Sequence, residues 1–161
     1  MANPEGSFIW YELMTPDPDA SKAFYDKVVG WTIDAAPSGE MDYRMINAPD
    51  GHVGGVMRIT ADMQANGARP VWLGYLNVAD VDAALARLTE AGGKVMMPAW
   101  DIPNVGRIAL VTDPTGAPFY IMAPTPPAGE EDATSHAFAP DRMGHVAWNE
   151  LASTDQDRKS T

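Results

Sequence analysis

Cysteine is absent from the 161 residues, which excludes a disulfide framework and any thiolate-held metal and fits a reducing compartment. Basic side chains are scarce. Eleven Lys and Arg face 22 Asp and Glu, for a formal net charge of −11, and they are scattered, so no electropositive face exists to neutralise phosphates and no nucleic acid is expected as a partner. The acidic excess reads as a solvated surface. No apolar run approaches the length that spans a bilayer, so no membrane partner is expected. Residues 1–6 lack the basic start and apolar run of a secretory leader, and the reading is a cytoplasmic protein. Histidine occurs three times, as His52, His136 and His145, with no two placed to share a face at ligand spacing. Residues 51–55 are glycine-rich but no helix follows them to receive an anion. No serine stands in a context that supplies His and Asp partners for nucleophilic catalysis.

What the chain does have is repetition. Trp10-Tyr11-Glu12-Leu13-Met14-Thr15-Pro16-Asp17 leads into an apolar-periodic stretch that stops at Gly30, and Tyr75-Leu76-Asn77-Val78-Ala79-Asp80 leads into another that stops at Gly92-Gly93. Asp17 and Asp80, like Gly30 and Gly93, are offset by 63 residues. Gly144 to Leu151 echoes Gly6 to Leu13 at an offset of 138, then is cut off before a helix is complete. Repetition of this kind fixes which residues are spatially equivalent. With 45% hydrophobic residues, the chain can bury the core of one compact domain or of two small, closely packed halves.

Each copy reads as strand, helix, strand, strand, strand. Residues 8–14 alternate between faces, with Phe8, Trp10 and Glu12 on one and Ile9, Tyr11 and Leu13 on the other. Asp17-Pro18-Asp19 supplies a capping carboxylate and a proline in the first turn. Ala20, Phe24 and Val28 form the expected buried stripe of a helix over 18–29, which Gly30 ends. Strand-like segments follow at 31–33, 43–46 and 54–57. In the second copy Asp80 caps a helix over 81–91 with Val81, Leu85 and Leu88 inward, followed by strands at 94–97, 107–111 and 118–122. Residues 125–141 have the Pro, Gly, Ala and acidic composition of a linker.

Taken together, the paired βαβββ pattern, Phe24-Tyr25 followed by Gly30-Trp31, and Asp113-Pro114-Thr115-Gly116 before the last strand resemble the glyoxalase, bleomycin-resistance and extradiol-dioxygenase superfamily, the vicinal oxygen chelate proteins. That resemblance implies an α+β fold in which two modules close into a U-shaped mixed-sheet cup with helices outside. The expected organisation is a first module over 6–58, a connection over 59–70, a second module over 71–124, a linker over 125–141 and the truncated start of a further module over 142–161. That last segment is expected to add to a sheet edge, of this chain or a neighbour, or to carry little order. Metal-dependent members hold a divalent ion with His, Gln or Glu from the first and last strands of each module. The matching positions here are Trp10, Leu73, Gly55 and Tyr120, none of which ligates a hard cation. No metal and no cofactor are therefore expected.

By strand parity the cup is lined by Trp10, Glu12 and Met14, by Leu73, Tyr75 and Asn77, and by Tyr120 and Met122. This lining suits a planar, partly apolar small molecule, or else the aromatics fill the cup themselves. Glu12 is the candidate catalytic residue, because a carboxylate among aromatics is costly unless paired and is suited to act as a general base. Its alternative role is structural, paired with Arg44 or hydrogen-bonded to Asn77 or Tyr75. Trp100 lies in a segment, 99–105, read as a loop that is either a lid or a rim. Three functional readings stand: a metal-free small-molecule binder of the bleomycin-resistance type, a lyase, isomerase or dioxygenase-type enzyme, and a scaffold that pairs with a second domain or forms a homodimer.

Overall fold

The computed structural model describes residues 3–37, 39–126, 128–129 and 133–153. The architecture is mixed α+β, with eight strands and three helices among the described residues. The first βαβββ module comprises β1 (Phe8–Thr15), α1 (Pro18–Val28), β2 (Thr32–Ile33), β3 (Tyr43–Ala48) and β4 (Gly51–Arg58). A short helix α2 (Ala61–Ala65) leads to the second: β5 (Val71–Asn77), α3 (Val81–Glu90), β6 (Lys94–Ile102), β7 (Gly106–Thr112) and β8 (Pro118–Pro124). Both long helices begin as the sequence requires. Asp17 accepts from the Ala20 amide and Asp80 from the Ala83 amide, each at 3.0 Å, while Gly30 (φ 81°) and Gly92 (φ 88°) take the left-handed conformation beyond the helix ends. Among the described residues no helix is long and apolar enough to cross a membrane.

The chain divides into two compact units. In the unit formed by residues 9–74 and 135–148, β1 runs parallel to β4, and β4 and β2 each pair antiparallel with β3. Leu13, Ile33, Ile46, Ala48, Val53 and Val56 form its core, with Tyr25 of α1 and Trp31 packed on it. The expected stripe of α1 is corrected here: Phe24 is 56% and Val28 62% exposed. The inward face is instead the one bearing Pro18, Lys22, Tyr25 and Asp26. Lys22 donates to the Ile33 carbonyl (2.6 Å), and Asp26 accepts from the Ile33 amide (2.9 Å) while pairing with Lys22 at 2.5 Å. A two-residue strand cannot satisfy its own backbone, so α1 spends polar side chains on it and turns Phe24 outward.

In the same unit the segment 135–148 lies against the module, although its composition reads in part as linker. Ala137 and Ala139 are buried, small enough to fit beneath a chain otherwise polar. Ser135 Oγ donates to the Ile9 carbonyl (2.5 Å) and Trp31 Nε1 to the Gly144 carbonyl (2.6 Å). Asp50 receives both Arg142 (3.1 Å) and His145 Nε2 (2.6 Å). The strand read at 146–151 amounts to a single parallel bridge, Val146 to Phe138, because Val146 satisfies its backbone on Ala137 and Ala139. Trp148 is 78% exposed, and residues 154–161 of the expected further module lie outside the described residues.

The other unit, residues 1–8, 75–134 and 149–161, orders its strands β5, β8, β7, β6. Tyr75 to Asn77 run parallel to Tyr120 to Met122, and β7 pairs antiparallel with both β8 and β6. Val78, Val81, Ala84, Ala109, Val111 and Ile121 form the core, with Leu85 and Leu88 packed on it as the helical spacing requires.

Arg44, 4% exposed, anchors the charge network of the first module by donating to Asp42 (2.8 Å) and Asp19 (2.7 Å), and Arg58 also holds Asp42 (2.8 Å). The Arg44 hydrogen bond, and then Arg58, hold the Asp42 carboxyl below its ordinary value of 3.8 against the opposing effect of desolvation. A lowered carboxyl contributes stability above its unfolded-state value and loses it as pH falls through the folded one. Asp42→Asn should therefore destabilise the chain by roughly 1.5–3 kcal/mol at neutral pH, and the deficit against wild type should shrink below about pH 4. Urea unfolding from pH 7 down to pH 3 measures this, and a deficit independent of pH refutes the assignment.

Candidate functional site

Because side chains alternate along a strand, burying Leu13, Ile46 and Val56 beneath α1 sends their neighbours to the opposite, helix-free face. The register places Glu12 opposite Gly55 and Met14 opposite Met57 across β1 and β4. Across β4 and β3 it places Gly55 opposite Met45 and Met57 opposite Tyr43. That face of the first module is thus built from Trp10, Glu12, Met14, Tyr43, Met45 and Met57 around the bare backbone of Gly55. The Tyr43 ring lies over Gly55: a Cβ built there meets the phenol oxygen at 2.1 Å and ring carbons at 2.2 and 2.4 Å. From this position Tyr43 accepts a hydrogen bond from Trp10 Nε1 at 2.8 Å. Burial, and the charge of Glu12, push the Tyr43 hydroxyl well above its ordinary range, so it stays protonated.

Glu12 is 2% exposed. The pairing with Arg44 suggested by the sequence does not form: Arg44 alternates with Tyr43 onto the helix side and is taken by Asp42 and Asp19. Met14 and Leu73 are buried in the same unit and Trp10 is half-buried.

In the other unit Tyr75 and Tyr120 are register partners on β5 and β8, and their rings stack at 4.3 Å with an interplanar angle of 22°. Trp100 stands edge-on to Tyr120 at 6.4 Å. It belongs to β6 rather than to a loop, since residues 94–102 pair with β7 through two register irregularities. Met122 is buried. Asn77 Nδ2 donates to the carbonyls of Asn3 (2.7 Å) and Pro4 (3.2 Å).

The four positions that the family resemblance matched to metal ligands carry an indole, an isobutyl group, a hydrogen and a phenol: Trp10, Leu73, Gly55 and Tyr120. Among the described residues no group of three or more His, Asp or Glu is arranged to hold an ion. These residues do not fit a hard divalent cation. A shallow depression beside α2, lined by Pro16, Ile59, Gln64, Ala68, Arg69 and Pro70, shares no residue with the aromatic faces. Tyr43, Met45 and Met57 were not among the residues read from the sequence. Alternation within 43–46 carried a signal for them, but which alternate faced inward depended on the register with β4.

A family model described as the Glyoxalase/Bleomycin resistance protein/Dioxygenase superfamily matches residues 7–121. A "putative glyoxylase CFP32" of Mycobacterium tuberculosis is 39% identical over 127 residues, which cover 78% of this chain and 47% of that protein. "Anthracycline biosynthesis protein DnrV" of Streptomyces peucetius is 29% identical over 157 residues, covering 91% of this chain and 54% of that one. The chain spans about half the length of these curated relatives. Among solved structures, a methylmalonyl-CoA epimerase of Streptomyces coelicolor superposes with a TM-score of 0.56 at 18% identity over 76% of this chain and 96% of that one, a likeness of fold alone.

The packing of Tyr43 on Gly55 is testable by a double-mutant cycle. Gly55→Ala should destabilise the chain by about 1–3 kcal/mol through overpacking, whereas in a Tyr43→Ala background the same change should cost almost nothing. Chemical denaturation of the four proteins checks it, and additive effects would show that the ring does not occupy that space.

Proposed function

This chain belongs to the glyoxalase/bleomycin resistance protein/dioxygenase superfamily, and from that premise we propose that it binds a small, planar organic molecule through aromatic and thioether side chains rather than through a metal ion. The observation that carries the reading is the helix-free face of the first module. Two aromatic rings joined by a hydrogen bond stand there among Met14, Met45 and Met57, a soft, polarizable surface that adapts to a flat apolar ligand. The stacked Tyr75 and Tyr120 with Trp100 give the second module a lining of the same character. Similarity to an anthracycline biosynthesis protein supports a planar, oxygen-bearing aromatic as the ligand class.

An enzymatic reading is favoured by one observation, the burial of the Glu12 carboxylate beside Tyr43. In that reading Glu12 is the general base of a lyase or isomerase.

Equilibrium dialysis with 1,8-dihydroxyanthraquinone tests the first reading. Saturable binding that survives exhaustive chelation is expected, and binding that requires stoichiometric zinc, nickel, manganese or iron, or its absence, overturns it. Glu12→Gln separates the two readings: a pure binder keeps its affinity within about threefold, while a base variant retains the ligand and loses any turnover seen by mass spectrometry of the recovered probe.

We also propose that a second domain or a second copy of the chain completes the assembly. The greater length of the relatives and the exposure of Met143 (85%) and Trp148 (78%) support this. Light scattering of the chain with and without residues 140–161 is expected to show a loss of dimer on truncation, and a monomer in both cases removes the second-copy version.

A further inference from the structure

We infer that Tyr43, fixed by Trp10 and Gly55, is the hydrogen-bond donor that selects an uncharged carbonyl or quinone oxygen on the ligand. This rests on the small-molecule reading above and adds the identity of the polar contact and the charge class it accepts.

Three features of the first module converge on that hydroxyl. The ring is held in place from below, in the space that Gly55 leaves open: a Cβ at 55 would come within 2.1 Å of the phenol oxygen. The oxygen is oriented from the side, because an indole N–H can only donate, so the 2.8 Å contact from Trp10 occupies a lone pair on Tyr43 and leaves its hydrogen to point elsewhere. That contact is the one hydrogen bond made by the Tyr43 side chain among the described residues. A half-buried phenol whose position and acceptor side are both set is a preorganised donor, and little freedom remains to be lost when a ligand oxygen reaches it.

Charge then decides which oxygen. Glu12 lies close enough to raise the Tyr43 hydroxyl electrostatically, so an anionic ligand oxygen at that donor would meet a neighbouring carboxylate in a poorly solvated setting, where like charges repel strongly. A neutral carbonyl oxygen accepts the same hydrogen without that repulsion. Arg44 and Arg58 do not offset it, because they alternate to the helix side of β3 and β4 and are both engaged by Asp42. The thioethers of Met45 and Met57 flank the phenol and accommodate the apolar ring system that carries such an oxygen.

The test uses the whole chain, with 1,8-dihydroxyanthraquinone and its 3-carboxylate as the two probes. Wild type is expected to bind the neutral probe at least tenfold more tightly than the carboxylate. Tyr43→Phe keeps the ring over Gly55 and removes only the hydroxyl, and it should weaken the neutral probe about tenfold, the value of one well-placed hydrogen bond, with an unchanged circular-dichroism spectrum. Glu12→Gln should narrow the difference between the two probes. If wild type binds the neutral probe and Tyr43→Phe binds it equally well, or if the carboxylate binds as tightly as the neutral probe, the inference falls while the binding reading stands. If wild type binds neither probe, both fall. Should Tyr43→Phe fail to fold, Trp10→Phe, which removes the orienting N–H and leaves the hydroxyl, is expected to weaken the neutral probe about threefold, and an unchanged affinity overturns the inference.

Discussion

A strand buries alternate side chains, and in each module one face of the strands is committed to a helix. Everything else about the candidate site depends on that commitment. Once Leu13, Ile46 and Val56 are taken by the core beneath α1, a one-residue slip would expose all of them at once, so the register is strongly held. Glu12, Tyr43 and Gly55 are then brought to the other face with no freedom to exchange places with Leu13, Arg44 or Gly54. The chemistry of that face is a consequence of how the core is packed.

The two modules obey the same constraint with different materials. α3 is conventional, with Val81 and Ala84 buried and Leu85 and Leu88 packed on its core. α1 begins at the equivalent position and runs one residue longer, but it faces a two-residue strand, and it uses Lys22 and Asp26 to satisfy the Ile33 backbone. That rotation carries Tyr25 inward, where its hydroxyl receives the Trp72 indole N–H at 3.0 Å and its ring packs on Trp31 and Trp72 at 5.7 and 5.4 Å. The repeat therefore conserves the order of elements and the helix starts, while the side chains between have been put to separate uses.

Burying charge follows the same logic of pairing or exclusion. Arg44 is tolerated because two carboxylates meet it, and its partners Asp19 and Asp42 come from the helix and the loop on its own side of the strands. Tyr43, one residue earlier, meets an indole N–H, a glycine and the field of Glu12. Adjacent residues thus occupy an arginine–aspartate network and an aromatic face that carries the Glu12 carboxylate, separated by the thickness of one strand.

The order of elements, both helix caps and the glycine stops were legible in the sequence, because they depend on local rules: an Asp side chain capping an amide three residues on, and a glycine adopting positive φ. The 63-residue offset showed which caps and helix stops are equivalent, and the family resemblance, carried onto Trp10, Leu73, Gly55 and Tyr120, showed positions without hard-cation donors. Tertiary structure decided the rest. Helical spacing alone could not distinguish a stripe through Phe24 from one through Tyr25, because the choice belonged to the backbone of β2. Nor could spacing alone place Trp100 in a strand, when β6 reaches it only through irregular pairing with β7. Arg44, one of three partners offered for Glu12, lies opposite it in parity and is held by Asp42 and Asp19 instead. Tyr43 was missed because its role depends on what is absent at Gly55, and a missing side chain acquires meaning only when another strand lies beside it.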